Sequence, residues 1–388
     1  MILLIYLILL VAFIDTFAQM PIISPFAKEL GATPFLIGLA VGIFSVTNIV
    51  GNIYAGIWSD KNGAKRVLYV GLFLSGIIML LYVFISTPAQ LIVLRFFNGF
   101  ASGLVVPAAY TYLANYSKQK TKGKSLALSG AVVGFAAIIG PAFGGIMKAT
   151  AGISWVFIII GILMLATAAI TFFALPQQDA KMSRRIDSKT AKTSVFHLMK
   201  NLPLSLAYLG SFALMFSQGV LAHMLPLKID ELRLGDETSG LLMSTFALTA
   251  IFIFILPTNK LYDRYRHEYM LLAGLIILGF AVMLLSMLTE PALLYATMVV
   301  YGIGFALIFP SLNALIIQYT DVSERGKAFG IFYAIFSVAV VIGSFTIGAF
   351  ALSTTQSFLF SMSVIWMISL ILYLLIRKHH RENEANQA

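Results

Sequence analysis

Long apolar runs separated by short polar breaks organise this chain of 388 residues from end to end. The runs are continuous and do not alternate with period two, which predicts helices and not strands. Each has the ~20 residues that a helix needs to cross the hydrocarbon core of a bilayer. Spans are predicted at 2–26, 35–58, 67–87, 89–115, 124–148 and 152–175, then at 202–227, 238–258, 268–288, 291–318, 326–350 and 354–376. Residues 1–26 have neither a basic leading region nor a small-residue cleavage site, so they read as a first span that is retained. The expected fold class is an all-α membrane protein.

The polar breaks expose a repeat. GIWSDKNGAKR at Gly56 to Arg66 is answered 203 residues later by NKLYDRYR at Asn259 to Arg266, aligning Asp60 with Asp263. The same offset pairs Gly71 with Gly274, Gly76 with Gly279, Gly99 with Gly302, Pro107 with Pro310, Gly140 with Gly343 and Gly145 with Gly348. One constant spacing over so many helix-shaping residues makes the chain two copies of one unit. The expected division is a six-helix bundle over 1–176, a linker over 177–201, a second bundle over 202–377 and a short polar, disordered tail over 378–388.

Composition narrows the class. With 60% hydrophobic and 11% charged residues and a mean hydropathy of +0.93, a water-soluble globule is excluded. The absence of cysteine removes disulfides, thiolate catalysis and thiolate metal sites. A net charge of +10 raises nucleic acid as a partner, but the cations are placed otherwise. If the chain starts inside, 21 of the 26 Lys and Arg residues fall in inner loops, linker and tail. Lys28, Lys148, Lys228 and Arg233 lie outside, and Arg95 lies within a span. The positive-inside rule then makes both termini and the linker cytoplasmic, in a multi-pass protein of the cell membrane. The expected partners are the lipid bilayer, a small-molecule substrate and protons, with no nucleic acid, metal or cofactor. A monomer is expected, since each chain can form a complete cavity.

Several motifs carry a resemblance. Gly56, Asp60, Gly63, Lys65 and Arg66 resemble the loop signature of the major facilitator superfamily, which in that family joins the second and third helices; Lys61 stands where an arginine is usual. LIVLRFFNGFASG in the fourth span is similar to the family's arginine-bearing motif through Arg95, Gly99 and Gly103. GPAFGG, with Gly140, Pro141, Gly144 and Gly145, resembles the motif of its drug/proton antiporters. Pro21 and Pro25 are similar to the proline pair of twelve-helix exporters, one residue wider. The resemblance implies twelve helices in two pseudo-symmetric bundles around a central cavity, alternating access by rocking, and Arg95 as a coupling arginine. A substrate site near the midplane between repeats is the general arrangement in such folds.

Two ionisable acid or base groups sit inside the spans, Asp15 and Arg95. A charge at bilayer depth costs ~3 kcal/mol on insertion scales, so each needs a reason. A carboxyl in low dielectric holds its proton more readily and can exchange it near neutral pH. Asp15 is therefore the candidate proton-coupling group, against a structural acid bonded to a neighbouring helix. Arginine stays protonated, so Arg95 can tune an acid, bind an anion or hold carbonyls. Gln19, Asn48, Asn98, Tyr110, Gln218 and Asn313 are candidate cavity residues, each also able to act as interhelical glue. Gln19 is one turn from Asp15 on the same face, and Gln218 falls opposite Asp15 at the repeat offset. Asp60 and Asp263 are candidate gate latches at matching cytoplasmic ends, against solvated loop acids. GPAFGG is a candidate kink and seal between halves, against generic small-residue packing.

The function these features favour is proton-driven export of small amphipathic compounds. A dedicated exporter or importer of one metabolite on the same fold is the alternative. An intramembrane enzyme is disfavoured: no GxSG, HExxH or GxGD motif is present, and Leu271 stands where His267-Glu268 would need a second histidine.

Overall fold

The computed structural model describes residues 2–116, 122–176, 198–199, 201–255, 265–320 and 325–385. Among these there is no strand. The helices are α1 (Ile2–Gln19), α2 (Ile23–Glu29), α3 (Pro34–Asn62), α4 (Ala64–Leu81), α5 (Pro88–Tyr116), α6 (Lys122–Ala151) and α7 (Ile153–Ala174). They continue with α8 (Leu202–Glu231), α9 (Glu237–Ile255), α10 (His267–Met287), α11 (Pro291–Gln318), α12 (Arg325–Ala349) and α13 (Thr354–Ala385). Among the described residues, 12 helices are long and apolar enough to cross a membrane. Large apolar side chains such as Phe84, Phe173 and Met287 are largely exposed on them, as suits helices solvated by lipid.

Three local expectations are corrected. The first span is not one continuous helix: α1 ends at Gln19 and α2 starts at Ile23. Pro21 has no N–H to give and its ring crowds the carbonyl four residues back, so the backbone tightens to Met20 N–H bonding Phe17 O and Ile22 N–H bonding Gln19 O, both at 3.2 Å. The loop expected over Gly56 to Arg66 is mostly helix. α3 runs on to Asn62 and one residue, Gly63 at φ 84°, joins it to α4. That backbone angle is one that side chains resist, which is why the glycine stands there. The polar tail is helical to Ala385, since nothing in RKHHRENEA stops a helix. The linker residues 177–197 and 200, with Asp263 in 256–264, lie outside the described residues.

By contacts the chain forms two units. The first comprises Met1–Lys189, Leu225–Ser244 and Gly348–Ala351; the second comprises Thr190–Met224, Thr245–Ile347 and Leu352–Ala388. In the first, α4 packs on α5 where a Cβ on Gly71 would meet Val105, Leu104 and the carbonyl of Ala101. In the second, a Cβ on Gly274 would meet Ile308, Leu307 and the carbonyl of Gly304. Every member of the first set lies 203 residues before its counterpart, so the repeat holds at the level of atoms here. It slips elsewhere. Gly140 packs against Phe17 and Gly343 against Phe216, which are 199 residues apart. The counting that set Gln218 opposite Asp15 therefore does not carry over to the first and seventh spans.

Candidate functional site

The two buried charges of the first unit are joined by one side chain. Asp15 is fully buried on α1, and Arg95, seven residues into α5, is 6% exposed. Gln19 lies one turn beyond Asp15. Its Nε2 donates to Asp15 Oδ1 at 2.8 Å and to the Asp15 carbonyl at 3.1 Å. Its Oε1 accepts from Arg95 Nη1 at 2.7 Å. The second carboxylate oxygen, Oδ2, accepts from Ser102 Oγ at 3.1 Å. Arg95 also donates from Nε to the Ala40 carbonyl at 2.9 Å and lies over the Phe44 ring at 4.3 Å. A buried charge is tolerated when it is hydrogen-bonded, and both carry such bonds.

Helix packing sets this arrangement. α5 approaches α3 closely because Gly99 and Gly103 carry no side chain: a Cβ on Gly99 would meet the Phe44 carbonyl and Thr47 Oγ1, and one on Gly103 the Asn48 carbonyl. The close crossing puts Ala40 and Phe44 within reach of Arg95. α6 holds α1 from the other side. A Cβ on Gly140 would meet Phe17 at 2.7 Å, and one on Gly144 the carbonyl of Ala18. The residues fixed by that contact directly precede Gln19. GPAFGG has a second face within the same unit, where Gly145 lies against Gly240 of α9 and the Pro141 carbonyl against Gly240 as well.

The other candidates are placed as follows. Asn98 is fully buried at the network's edge, with Oδ1 3.5 Å from Gln19 Nε2. Asn48 ties the crossing, donating to the Gly99 carbonyl at 3.3 Å and accepting from Asn52 at 3.1 Å. Tyr110 is half-buried on α5. In the second unit Gln218 is half-buried on α8, and Asn313 bonds its own helix at Phe309 O, 2.8 Å. Neither belongs to the Asp15 network. In the loop motif Lys65 lies 5.7 Å above the Phe172 ring, Arg66 is exposed and Gly56 faces open space. Asp60 is placed in the last turn of α3.

Sequence reasoning missed Ser102, Ala40 and Phe44. Ser102 carried a signal, since it lies seven residues from Arg95 and four from Asn98 on one face of α5. It also missed an ionic cluster in the first unit. Lys148, whose side chain is 8% exposed, meets Glu29 at 2.9 Å and Asp236 at 3.3 Å, and Lys28 meets Asp230 at 2.6 Å.

The sequence profile of the Major Facilitator Superfamily matches residues 5–235 and 207–388. The chain belongs to that superfamily. It is a membrane transporter with the superfamily's fold. An uncharacterized MFS-type transporter of Methanocaldococcus jannaschii is 28% identical over 95% of this chain and 98% of its own. The multi-drug resistance efflux pump PmrA of Streptococcus pneumoniae is 24% identical over 83% of this chain and 82% of its own. The fold is similar to the crystal structure of a bacterial homolog of the human lysosomal transporter Spinster, with TM-score 0.80, 14% identity and coverage of 97% and 96% of the two chains.

Proposed function

We propose that this protein exports small amphipathic compounds across the cell membrane in exchange for protons, by alternating access. The observation that carries the reading is Asp15, a fully buried carboxyl bonded at both oxygens and tied through Gln19 to a buried arginine. Intramembrane ionisable residues are rare and functional by default. Arg95 cannot release a proton under physiological conditions, so Asp15 is the carrier and Arg95 the fixed positive charge beside it. Substrate class is supported by relatives named as multidrug pumps, among them PmrA and the multidrug resistance protein 1 of Bacillus subtilis. With the termini in the cytoplasm, the loop-motif residues Gly56, Asp60, Gly63, Lys65 and Arg66 lie on the inner side, where they serve gating, and the Lys148 cluster faces outward.

The test uses everted membrane vesicles with an imposed proton gradient and lipophilic cationic dyes. Wild-type vesicles are expected to take up dye, uncoupler to collapse the uptake, and Asp15→Asn to abolish it. Unchanged transport and pH dependence in Asp15→Asn would remove the coupling role. A folded wild type that moves no dye would instead favour a dedicated carrier of one metabolite.

A further inference from the structure

We propose that the transported proton is carried on Oδ2 of Asp15, with the Ser102 hydroxyl as its reversible partner, while Gln19 holds Oδ1 as a permanent acceptor. The inference rests on the reading of Asp15 as the proton carrier and says which oxygen takes the proton and what adapts to it.

The argument follows the direction of each hydrogen bond. A guanidinium only donates. The Gln19 atom 2.7 Å from Arg95 Nη1 must therefore be the carbonyl oxygen, which fixes the amide's orientation. Its Nε2 then faces Asp15 and donates to Oδ1 at 2.8 Å. That amide hydrogen already fills one lone pair of Oδ1, so a proton on Oδ1 would have to take the other, away from Gln19, and the amide cannot turn over without presenting its NH2 to Arg95. Toward Gln19, Oδ1 thus stays an acceptor in both protonation states. Oδ2 is not so fixed. Its partner is a hydroxyl at 3.1 Å, which donates or accepts by rotating its own hydrogen.

The step balances simply. As carboxylate, Asp15 accepts from Ser102 at Oδ2. On protonation the new Oδ2–H donates to Ser102 Oγ, and a rotation of the serine side chain lets its own hydrogen turn to a backbone carbonyl of the preceding turn, a bond helical serines commonly make. The proton returns to water when the group ionises. Charged and titratable groups near Asp15 are few. Arg95 faces it from α5 through Gln19, and Tyr82 is buried beside Arg95. α7 contains no ionisable residue, and Lys148 of α6 is engaged with Glu29 and Asp236.

Ser102 is on this account a positioning residue, and its test is a pH profile with rescue. A hydroxyl stabilises the carboxylate more than the acid, so Ser102→Ala should move the midpoint of proton-driven uptake about one pH unit to the alkaline side. Ser102→Thr keeps a hydroxyl and should restore the profile. Ser102→Cys, a weaker hydrogen-bonder of similar size, should shift the same way if the alanine variant folds poorly. Infrared difference spectra give a readout that does not depend on transport. The protonated-carboxyl band that vanishes in Asp15→Asn should be displaced in Ser102→Ala and not in Ser102→Thr. Uptake that stays proton-coupled in Asp15→Asn overturns the parent reading. Loss in Asp15→Asn, with a profile and band in Ser102→Ala that coincide with wild type, overturns the Ser102 assignment alone.

Discussion

Replacing Gly144 by alanine tests whether the α1–α6 contact positions Gln19. The new Cβ would meet the carbonyl of Ala18, with the Ala18 carbonyl carbon at 3.0 Å and its Cα at 3.2 Å. All three are backbone atoms within a helix turn, so no side chain can swing away, and α1 must shift. Overpacking of this kind costs roughly 1–3 kcal/mol. The helix propensity gained over glycine offsets up to ~1 kcal/mol of it. The net expected effect is a loss of about 1–2 kcal/mol. Gly56→Ala is the matched control, because a Cβ there meets nothing within 4 Å and keeps only the propensity gain. In detergent, at one scan rate, Gly144→Ala should unfold a few degrees below wild type and Gly56→Ala at or above it. Uptake driven by a proton gradient should fall in Gly144→Ala, because displacing Ala18 displaces Gln19 from Arg95. Equal melting and equal uptake in Gly144→Ala would refute the claim that this contact holds the network.

Other perturbations follow from the same geometry. Arg95→Lys keeps the charge but loses the fork that reaches both Ala40 O and Gln19, so one charge-assisted bond of roughly 1.5–3 kcal/mol goes unmade. Coupled uptake is expected to drop about tenfold or more; wild-type initial rates would contradict this. Lys148→Gln removes both ion pairs of a lysine whose acidic partners are half-exposed. Its stability cost should be no more than about 1 kcal/mol and should vanish in high salt, which melting across a salt series would reveal. Gly63→Ala forces a side chain into a φ of 84° and should cost about 1–3 kcal/mol by thermal unfolding. A neutral result would mean that the α3–α4 junction relaxes readily.

The sequence by itself determined the spans, the repeat and the two intramembrane charges. Each of these is a local property: about 20 apolar residues in a row can cross a bilayer whatever surrounds them. A charge at that depth is costly enough that few occur, so Asp15 and Arg95 stood out at once. The family was legible for a related reason, since its turn motif needs Gly63 where the backbone reverses. Only the tertiary structure decided what lies across from each residue. Gln19 shared a face with Asp15 on spacing alone, but its bond to Arg95 depends on α5 crossing α3 at Gly99 and Gly103. Ser102 shared a face of α5 with Arg95 and Asn98, but only the packing of α5 beside α1 aimed it at Oδ2. The break after Gln19 fixed where the first span ends, and the 199-residue spacing from Phe17 to Phe216 placed the seventh span differently from the repeat count. Hydropathy acts residue by residue along one helix, whereas helix rotation and register come from close packing between helices far apart in sequence.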